Sequence, residues 1–274
     1  MHRDSIHTDL RSIRHLSSDR IFLGLTSHNV FGLKSAAAHP PSHVEMLKAY
    51  GNDFTTIELK SDFQRLIDES VLHQIELAGI PSIFIRMECN SSIFKEQGVL
   101  QSDHWKQFIS LLKHQMYVRK YHLILCWDRY TVFSPSLLES LLRLKDALYP
   151  LLVLVECEHR SWVNPKVLKI FRSTKQSVVQ RDVPQLSGFH FTIPNYSSKL
   201  CYFRLLGRNR ETWFSNESSQ RYLYGYSRIE LESIAHTIRR LKYDCDEIHV
   251  IGATDPPTAA RSNILELARL LSAD

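Results

Sequence analysis

The sequence lacks the features of membrane proteins and of disulfide-bonded proteins. No continuous apolar run is long enough to span a bilayer, and the first residues do not form a charged and then apolar leader. The five cysteines are scattered and show no C-x-x-C spacing, which argues against a disulfide framework or a zinc site. We therefore expect reduced, buried cysteines, a cytoplasmic location and no membrane partner.

The composition is that of a soluble globular protein with a substantial core. Of the 274 residues, 43% are hydrophobic and 23% are charged. The formal net charge of +5 suits an anionic ligand, although a scattered surplus of lysine and arginine on the surface explains it equally well. The length fits two small domains or one α/β barrel.

The most informative stretch runs from Leu151 to Trp162. Five apolar residues without alternation are followed by a dense polar group that contains Glu156 and His159. A strand that is apolar on both faces must be covered on both faces, which is typical of parallel sheets in α/β proteins. Because ligands of such sheets bind at the carboxyl ends of the strands, the polar group marks a candidate site.

Strand-like segments alternate with helical ones along the whole chain. Besides residues 151–155, the predicted strands are 21–26, 55–59, 82–87, 121–127, 177–180, 200–206 and 247–251. Capping boxes at Ser42 and Ser227, and first-turn prolines at Pro135 and Pro165, mark the starts of four of the intervening helices.

This alternation predicts an α/β fold with a single TIM-type (β/α)8 barrel. The barrel domain covers residues 21–274 and follows an irregular N-terminal arm of residues 1–20. The crossover from Pro184 to Ser198 has no helical period, so we expect it to lack a regular helix. A doubly wound open sheet is the alternative, because periodicity does not establish closure.

Three residues after predicted strands are candidates for catalysis. Glu156 and His159 form either a general acid–base pair or two ligands of a divalent metal, with Glu58 as a third group. The alternative is structural, with His159 only hydrogen-bonding Glu156 and holding the loop in place.

A second group of residues predicts an anion site. Arg204, Gly207 and Arg208 lie at and just after the seventh strand, where barrels often hold phosphate. Arg86 lies at the end of the third predicted strand, and Asp182 follows the sixth, on the same face. A solvated basic turn, neutralised by neighbouring glutamates, is the alternative interpretation.

Aromatic residues are interleaved with these arginines. They are Trp162, Trp213, Phe214, Tyr222, Tyr224 and Tyr226. Such residues either stack on the bases of a single-stranded nucleic acid or pack as a lid over the barrel mouth. Trp162 is included among the candidate ligand-binding residues.

The order of the motifs resembles that of the YecE-like family, domain of unknown function 72. The resemblance rests on Gly24 to Ser27, Ile57 to Phe63, Glu156 to Trp162, Asp182 with Pro184, Arg204 to Arg208, and Tyr224 to Ser227. It covers the chain from about residue 21 to the end and implies a TIM-type barrel. The family has no settled activity to imply.

The sequence departs from the family pattern at positions expected to face the pocket. Lys60 stands where the family has asparagine, and Leu206 where it has histidine. Gly252 and Ala253 replace a pair of asparagines. These changes are consistent with a pocket that has been re-purposed or catalytically weakened.

Two functions from different classes follow. One is an enzyme that acts on a phosphate-bearing substrate at the carboxyl-terminal face of the barrel, with a small anionic or phosphorylated molecule as its ligand. The other is a non-catalytic barrel with a degenerate pocket that binds a ligand or nucleic acid.

Overall fold

In this computed structural model, eight parallel strands close into one barrel in sequence order. The structure describes residues 13, 15–17, 19–32, 42–63, 66–89, 102–115, 120–186 and 200–273. The first strand pairs with the second and also with the eighth, so the sheet has closed on itself. The predicted TIM-type barrel is thereby confirmed, and the open sheet is excluded.

The strands are short and mostly buried on both faces. They are β1 (Ile21–Thr26), β2 (Thr56–Asp62), β3 (Ser82–Cys89), β4 (Lys120–Trp127), β5 (Leu152–Cys157), β6 (Ser177–Asp182), β7 (Leu200–Leu205) and β8 (Glu247–Gly252).

The helices of the described residues connect these strands. They are α1 (Ser27–Gly32), α2 (His43–Asp53), α3 (Glu69–Leu77), α4 (Asp103–Gln115), α5 (Pro135–Leu148), α6 (Pro165–Ser173), α7 (Ser218–Arg221), α8 (Arg228–Leu241) and α9 (Pro257–Ser272), with a 3-10 helix at Arg160–Trp162. Both predicted capping boxes are formed, because Ser42 and Ser227 exchange hydrogen bonds with the glutamates three residues later.

Several segments differ from the sequence-based expectation. Strand β6 continues two residues beyond Gln180, and the short helices α1 and α7 carry too few residues to show a helical period. Part of the predicted arm is packed, since Ile13 and Leu16 are 0% and 2% exposed. The predicted helix-free crossover falls largely on residues 187–199, which lie outside the described residues.

Strand residues alternate between two hydrophobic layers. In β3, Ile83, Ile85 and Met87 join the large cluster between the sheet and the helices. Phe84 belongs instead to a small cluster inside the barrel, together with Ile124, Leu154, Val179, Leu200, Tyr202 and Ile251. The next inward-facing position of β3 after Phe84 is Arg86, so the interior changes from apolar to charged towards the carboxyl end.

Aromatic rings and two histidines fill the amino-terminal half of the interior. Phe84 packs on His122, Tyr202 and His249 with ring centroids 4.4–4.7 Å apart. Phe22 also stacks on His249, with ring centroids 4.6 Å apart. This half of the barrel is therefore a packed core and not a channel.

Among the described helices, none has both the length and the apolar character needed to cross a bilayer.

Candidate functional site

Glu156 lies at the centre of a charged network inside the carboxyl-terminal end of the barrel. Its carboxylate is completely buried and accepts hydrogen bonds from Arg86 Nε at 2.7 Å and from Arg204 Nη1 at 2.9 Å. A third guanidinium, that of Arg181, lies with Nε 3.1 Å from Glu156 Oε1. Three neighbouring cations therefore surround one carboxylate.

Glu58 extends the network across the barrel. Arg204 binds it through two nitrogens, with Nε 2.8 Å from Oε2 and Nη2 3.0 Å from Oε1. Tyr202 Oη also donates to Glu58, at 2.8 Å. Arg204 thus links Glu58 of β2 to Glu156 of β5, and the planar guanidinium suits such a two-sided contact.

The electrostatic environment keeps Glu156 ionised. Burial acts to raise the pKa of Glu156, but Arg204, Arg86 and Arg181 outweigh it and hold that pKa well below its usual range. A carboxyl group that stays ionised near neutral pH is a poor proton donor. The geometry therefore suits Glu156 to orienting the arginines more than to acid–base catalysis.

Two more exposed glutamates form the rim of the network. Glu88 accepts a hydrogen bond from Arg86 Nη1 at 3.2 Å and is also 3.0 Å from Lys60 Nζ. Glu158 accepts from Arg181 Nη2 at 3.0 Å. The side chains of Glu88 and Glu158 are 49% and 17% exposed, whereas that of Glu156 is 0% exposed, so both rim carboxylates lie nearer to solvent than the buried part.

A separate cluster ties the loop after β7 to β6 and α8. Asp182 binds Arg208 Nε at 2.8 Å and Nη2 at 2.6 Å, and it accepts from Tyr226 Oη at 2.8 Å. Glu230 accepts from Tyr224 Oη at 2.6 Å and lies 3.4 Å from Arg208 Nη1. Most of the charge of Arg208 is therefore already engaged by carboxylates.

The family of the chain follows from comparison with known proteins. The family model described as "Protein of unknown function DUF72" matches residues 34–274. The chain belongs to the DUF72 family. This confirms the resemblance inferred from the motifs, and no similar sequence was found among curated proteins.

Crystal structures of DUF72 family proteins have the same fold. One from Thermotoga maritima superposes with a TM-score of 0.77 at 23% identity, covering 92% of this chain and 98% of that one. Another, from Enterococcus faecalis, has a TM-score of 0.73 at 19% identity, covering 92% of this chain and 95% of that one.

Four of the predicted site residues of this DUF72 barrel converge in the charged network. They are Glu58, Arg86, Glu156 and Arg204. Asp182 and Arg208 lie together in the neighbouring loop cluster. The His159 ring hydrogen-bonds to Ser161 through Nδ1, which places this ring at the start of the 3-10 helix.

Gly207 and Trp162 have structural explanations. Gly207 has φ +89°, and its N–H donates to Tyr226 Oη at 3.0 Å. Trp162 is 0% exposed, stacks on Trp127 at 5.5 Å and donates Nε1–H to the Thr131 carbonyl at 3.0 Å. The Trp162 ring therefore lies in the core and not at the mouth.

The other aromatic residues of the interleaved set are mostly packed against one another. Trp213 and Tyr226 are buried, and Tyr224 meets Tyr226 edge to face at 5.0 Å. Phe214 is the exception at 52% exposed. This arrangement favours the lid interpretation over a row of base-stacking rings.

Sequence reasoning missed two members of the network, Arg181 and Tyr202. The sequence predicts that the sixth strand ends at Gln180, whereas the structure continues it through Arg181 to Asp182. Tyr202 lies within the seventh predicted strand, residues 200–206, whose largely apolar composition gives no sign of a polar contact. Alternation along a correctly bounded strand places both side chains inside the barrel.

For a divalent metal, which was one alternative in the sequence analysis, the described residues contain one candidate ligand group. Ligand atoms of Cys126, Glu156 and Glu158 lie within 4.8 Å of one another. Both oxygens of Glu156 are already bound by guanidinium groups, and burial raises the pKa of the Cys126 thiol well above its usual value. A cation at this point would face three arginines, so the electrostatics do not fit a metal.

Proposed function

We propose that the protein binds a small anionic ligand that carries a phosphate group, at the carboxyl-terminal mouth of the barrel. The observation that carries the proposal is the convergence of Arg86, Arg181 and Arg204 on Glu156 inside the barrel. In barrel enzymes the residues at this end contact the substrate.

The energetic cost of the network supports a functional role. Buried ion pairs contribute little net stability, because desolvation offsets much of their attraction. The amino-terminal half of the same interior is filled by apolar and aromatic side chains such as Phe84 and Ile124, so apolar filling is available to this fold. Charged residues at the other end are better explained by a polar ligand than by stability.

The charge balance supports an anion. The fully buried part contains three guanidinium groups but only the carboxylates of Glu58 and Glu156, which leaves one positive charge in excess. The more exposed Glu88 and Glu158 now neutralise the outer N–H groups. A phosphate can take their place on Arg86 and Arg181 and form charge-assisted, two-pronged contacts.

In this proposal, Glu156 and Glu58 orient the arginines. The Nδ1 atom of His159 accepts from the Ser161 N–H, so Nε2 is the ring nitrogen that remains for a ligand. Catalysis is not needed for the binding function and is a separate question for experiment.

Binding should be tested with inorganic phosphate and a simple phosphomonoester, by calorimetry at fixed ionic strength. Glu88→Gln removes the competing charge beside Arg86, so we expect affinity to rise roughly three- to tenfold. Arg86→Lys keeps the charge but loses the planar fork, and we expect affinity to fall about tenfold.

Glu139→Gln is the matched control. Glu139 lies on the outer helix α5, is 64% exposed and pairs with Arg143 one helical turn later. It undergoes the same charge change as Glu88→Gln and should leave affinity within about twofold. The proposal would be refuted if the wild-type protein bound neither probe at millimolar concentration. It would also be refuted if Glu88→Gln and Glu139→Gln raised the affinity by the same factor.

A further inference from the structure

Two cysteines on neighbouring parts of the chain have their sulfur atoms in contact. Cys201 is the second residue of β7, and Cys245 lies between α8 and β8. Their Sγ atoms are 3.1 Å apart, and both residues are buried, with 1% and 5% exposure. All five cysteines are free thiols in this structure.

The backbone fixes this approach from both sides. Cys201 is in register with Ile248 in the pairing of β7 with β8, and both cysteines belong to the hydrophobic layer between the sheet and the helices. The Cys245 N–H also donates to the Leu241 carbonyl at 2.9 Å, at the end of α8. The two sulfurs therefore meet because of the fold and not through chance rotation of long side chains.

We propose that Cys201 and Cys245 form a reversible intramolecular disulfide when the protein meets a peroxide. A disulfide needs a sulfur separation of about 2.0 Å, so the atoms must close by roughly 1 Å. Neither sequence spacing nor the scatter of the cysteines predicts this pair, since 44 positions separate the two residues.

Cys245 is the thiol that an oxidant reaches first. It lies directly beneath a surface turn whose other members, Tyr243, Asp244 and Asp246, are exposed, with Tyr243 at 92%. A small opening of this turn gives a peroxide access. The hydrogen bond with Cys201 also lowers the pKa of Cys245, which favours the reactive thiolate.

The reaction balances with hydrogen peroxide as the oxidant. The Cys245 thiolate attacks one peroxide oxygen, the O–O bond breaks, and a sulfenic acid forms. The hydroxide that leaves takes up the proton released when the Cys245 thiol ionised, which gives one water. The Cys201 sulfur then attacks the Cys245 sulfur, the S–O bond breaks, and a second water leaves. Two thiols and one peroxide thus give one disulfide and two waters, and a dithiol such as dithiothreitol reverses the reaction.

The other thiols have different surroundings. Cys89 Sγ donates to the Met87 carbonyl at 3.4 Å, and Cys126 Sγ contacts the guanidinium of Arg86. Burial raises the pKa of Cys157 well above its usual value. These three cysteines are buried like Cys201 and Cys245 but have other neighbours, so they serve as controls for the oxidation of buried thiols.

The test is peptide mapping of the folded, full-length protein after exposure to hydrogen peroxide, without reduction. Tryptic cleavage places Cys201 in the peptide 200–204 and Cys245 in the peptide 243–261. We expect these two peptides to appear covalently joined, with the intact chain lighter by two hydrogen atoms, and to separate on adding dithiothreitol.

Variants distinguish the pair from general oxidation. Cys245→Ser should abolish the linked peptide, whereas Cys89→Ser should leave its yield unchanged. The wild-type map does not depend on the folding of any variant. Recovery of five free thiols, oxidation of Cys245 to a sulfinic acid without a link, or a link between two chains would each overturn the proposal.

Discussion

At the scale of single residues, Glu156 is the group on which the charges around it depend. Its two carboxylate oxygens are contacted by Arg86, Arg181 and Arg204. Removing its charge leaves three buried cations with Glu58 as the remaining fully buried partner. The three arginines lose the favourable charge of Glu156, and water cannot easily reach them to replace it.

We therefore expect Glu156→Gln to lower the free energy of unfolding by about 3–5 kcal/mol. Urea denaturation followed by tryptophan fluorescence measures this change. The same substitution at the exposed Glu139 should cost no more than about 0.5 kcal/mol. A loss at Glu156 as small as that at Glu139 would mean that the network contributes nothing to folding.

The sequence indicates where a side chain lies along a strand, but it does not indicate which distant side chain it will contact. Glu58, Arg86, Glu156 and Arg204 could be named because strand ends are visible in the sequence. Their pairing could not, since contacts such as that between Arg204 and Glu58 join residues 146 positions apart. Three-dimensional register decides which arginine meets which carboxylate.

At the scale of elements, the conformation of the loop after β7 depends on one residue, Gly207. Gly207 has φ +89°, and a Cβ at this residue would lie 2.4 Å from Tyr224 Cβ. Both a left-handed backbone and close packing therefore require glycine here.

We expect Gly207→Ala to destabilise the protein by about 2–4 kcal/mol, because backbone strain adds to overpacking. Gly79→Ala is the comparison, since Gly79 also has a positive φ of 73° but a Cβ there meets nothing within 4 Å. It should cost only about 1–2 kcal/mol. Equal losses in thermal unfolding would show that the contact with Tyr224 is unimportant.

The order of elements could be predicted because each strand and helix carries its own periodicity and caps. The start of α8 at Ser227 is an example, since the capping box is visible in four residues. Helix α1 was missed because it follows β1 without a break, and six residues are too few to show a period. Closure of the barrel depends on β1 pairing with β8, which no local pattern reports.

At the scale of the whole molecule, the two ends of the barrel respond to acid in the same direction. Burial, with the neighbouring His249, lowers the pKa of His122 to about 3. Because an unfolded histidine titrates near 6.5, the unfolded chain binds more protons between these values. Stability from neutral His122 is therefore present above about pH 6.5 and is lost as the pH falls towards 3.

The pKa of Glu156 is also depressed, so its contribution is present above about pH 4.3 and is lost on further acidification. The two groups can be separated because their windows begin at different pH values. His122→Phe should flatten the stability profile between about pH 6.5 and 4.5, where each protonation is worth roughly 1.4 kcal/mol per pH unit.

Thermal unfolding across this range measures the effect. His73→Gln is the control, since the His73 side chain is 66% exposed. If His122→Phe folds normally at pH 7.5 but its stability falls with pH as steeply as that of the wild type, His122 is not the acid-sensitive group.

Because the amino-terminal half of the barrel is packed, its interior is closed at that end. Phe22, Phe84 and His249 close the bottom by ring contacts of 4.6–4.7 Å, so a small molecule that reaches the arginines must leave through the same mouth. Arrival and departure then compete for one opening. A bound anion would block the entry of the next one. The exchange rate would therefore be set by the rate at which the anion dissociates past the rim around Glu88 and Glu158.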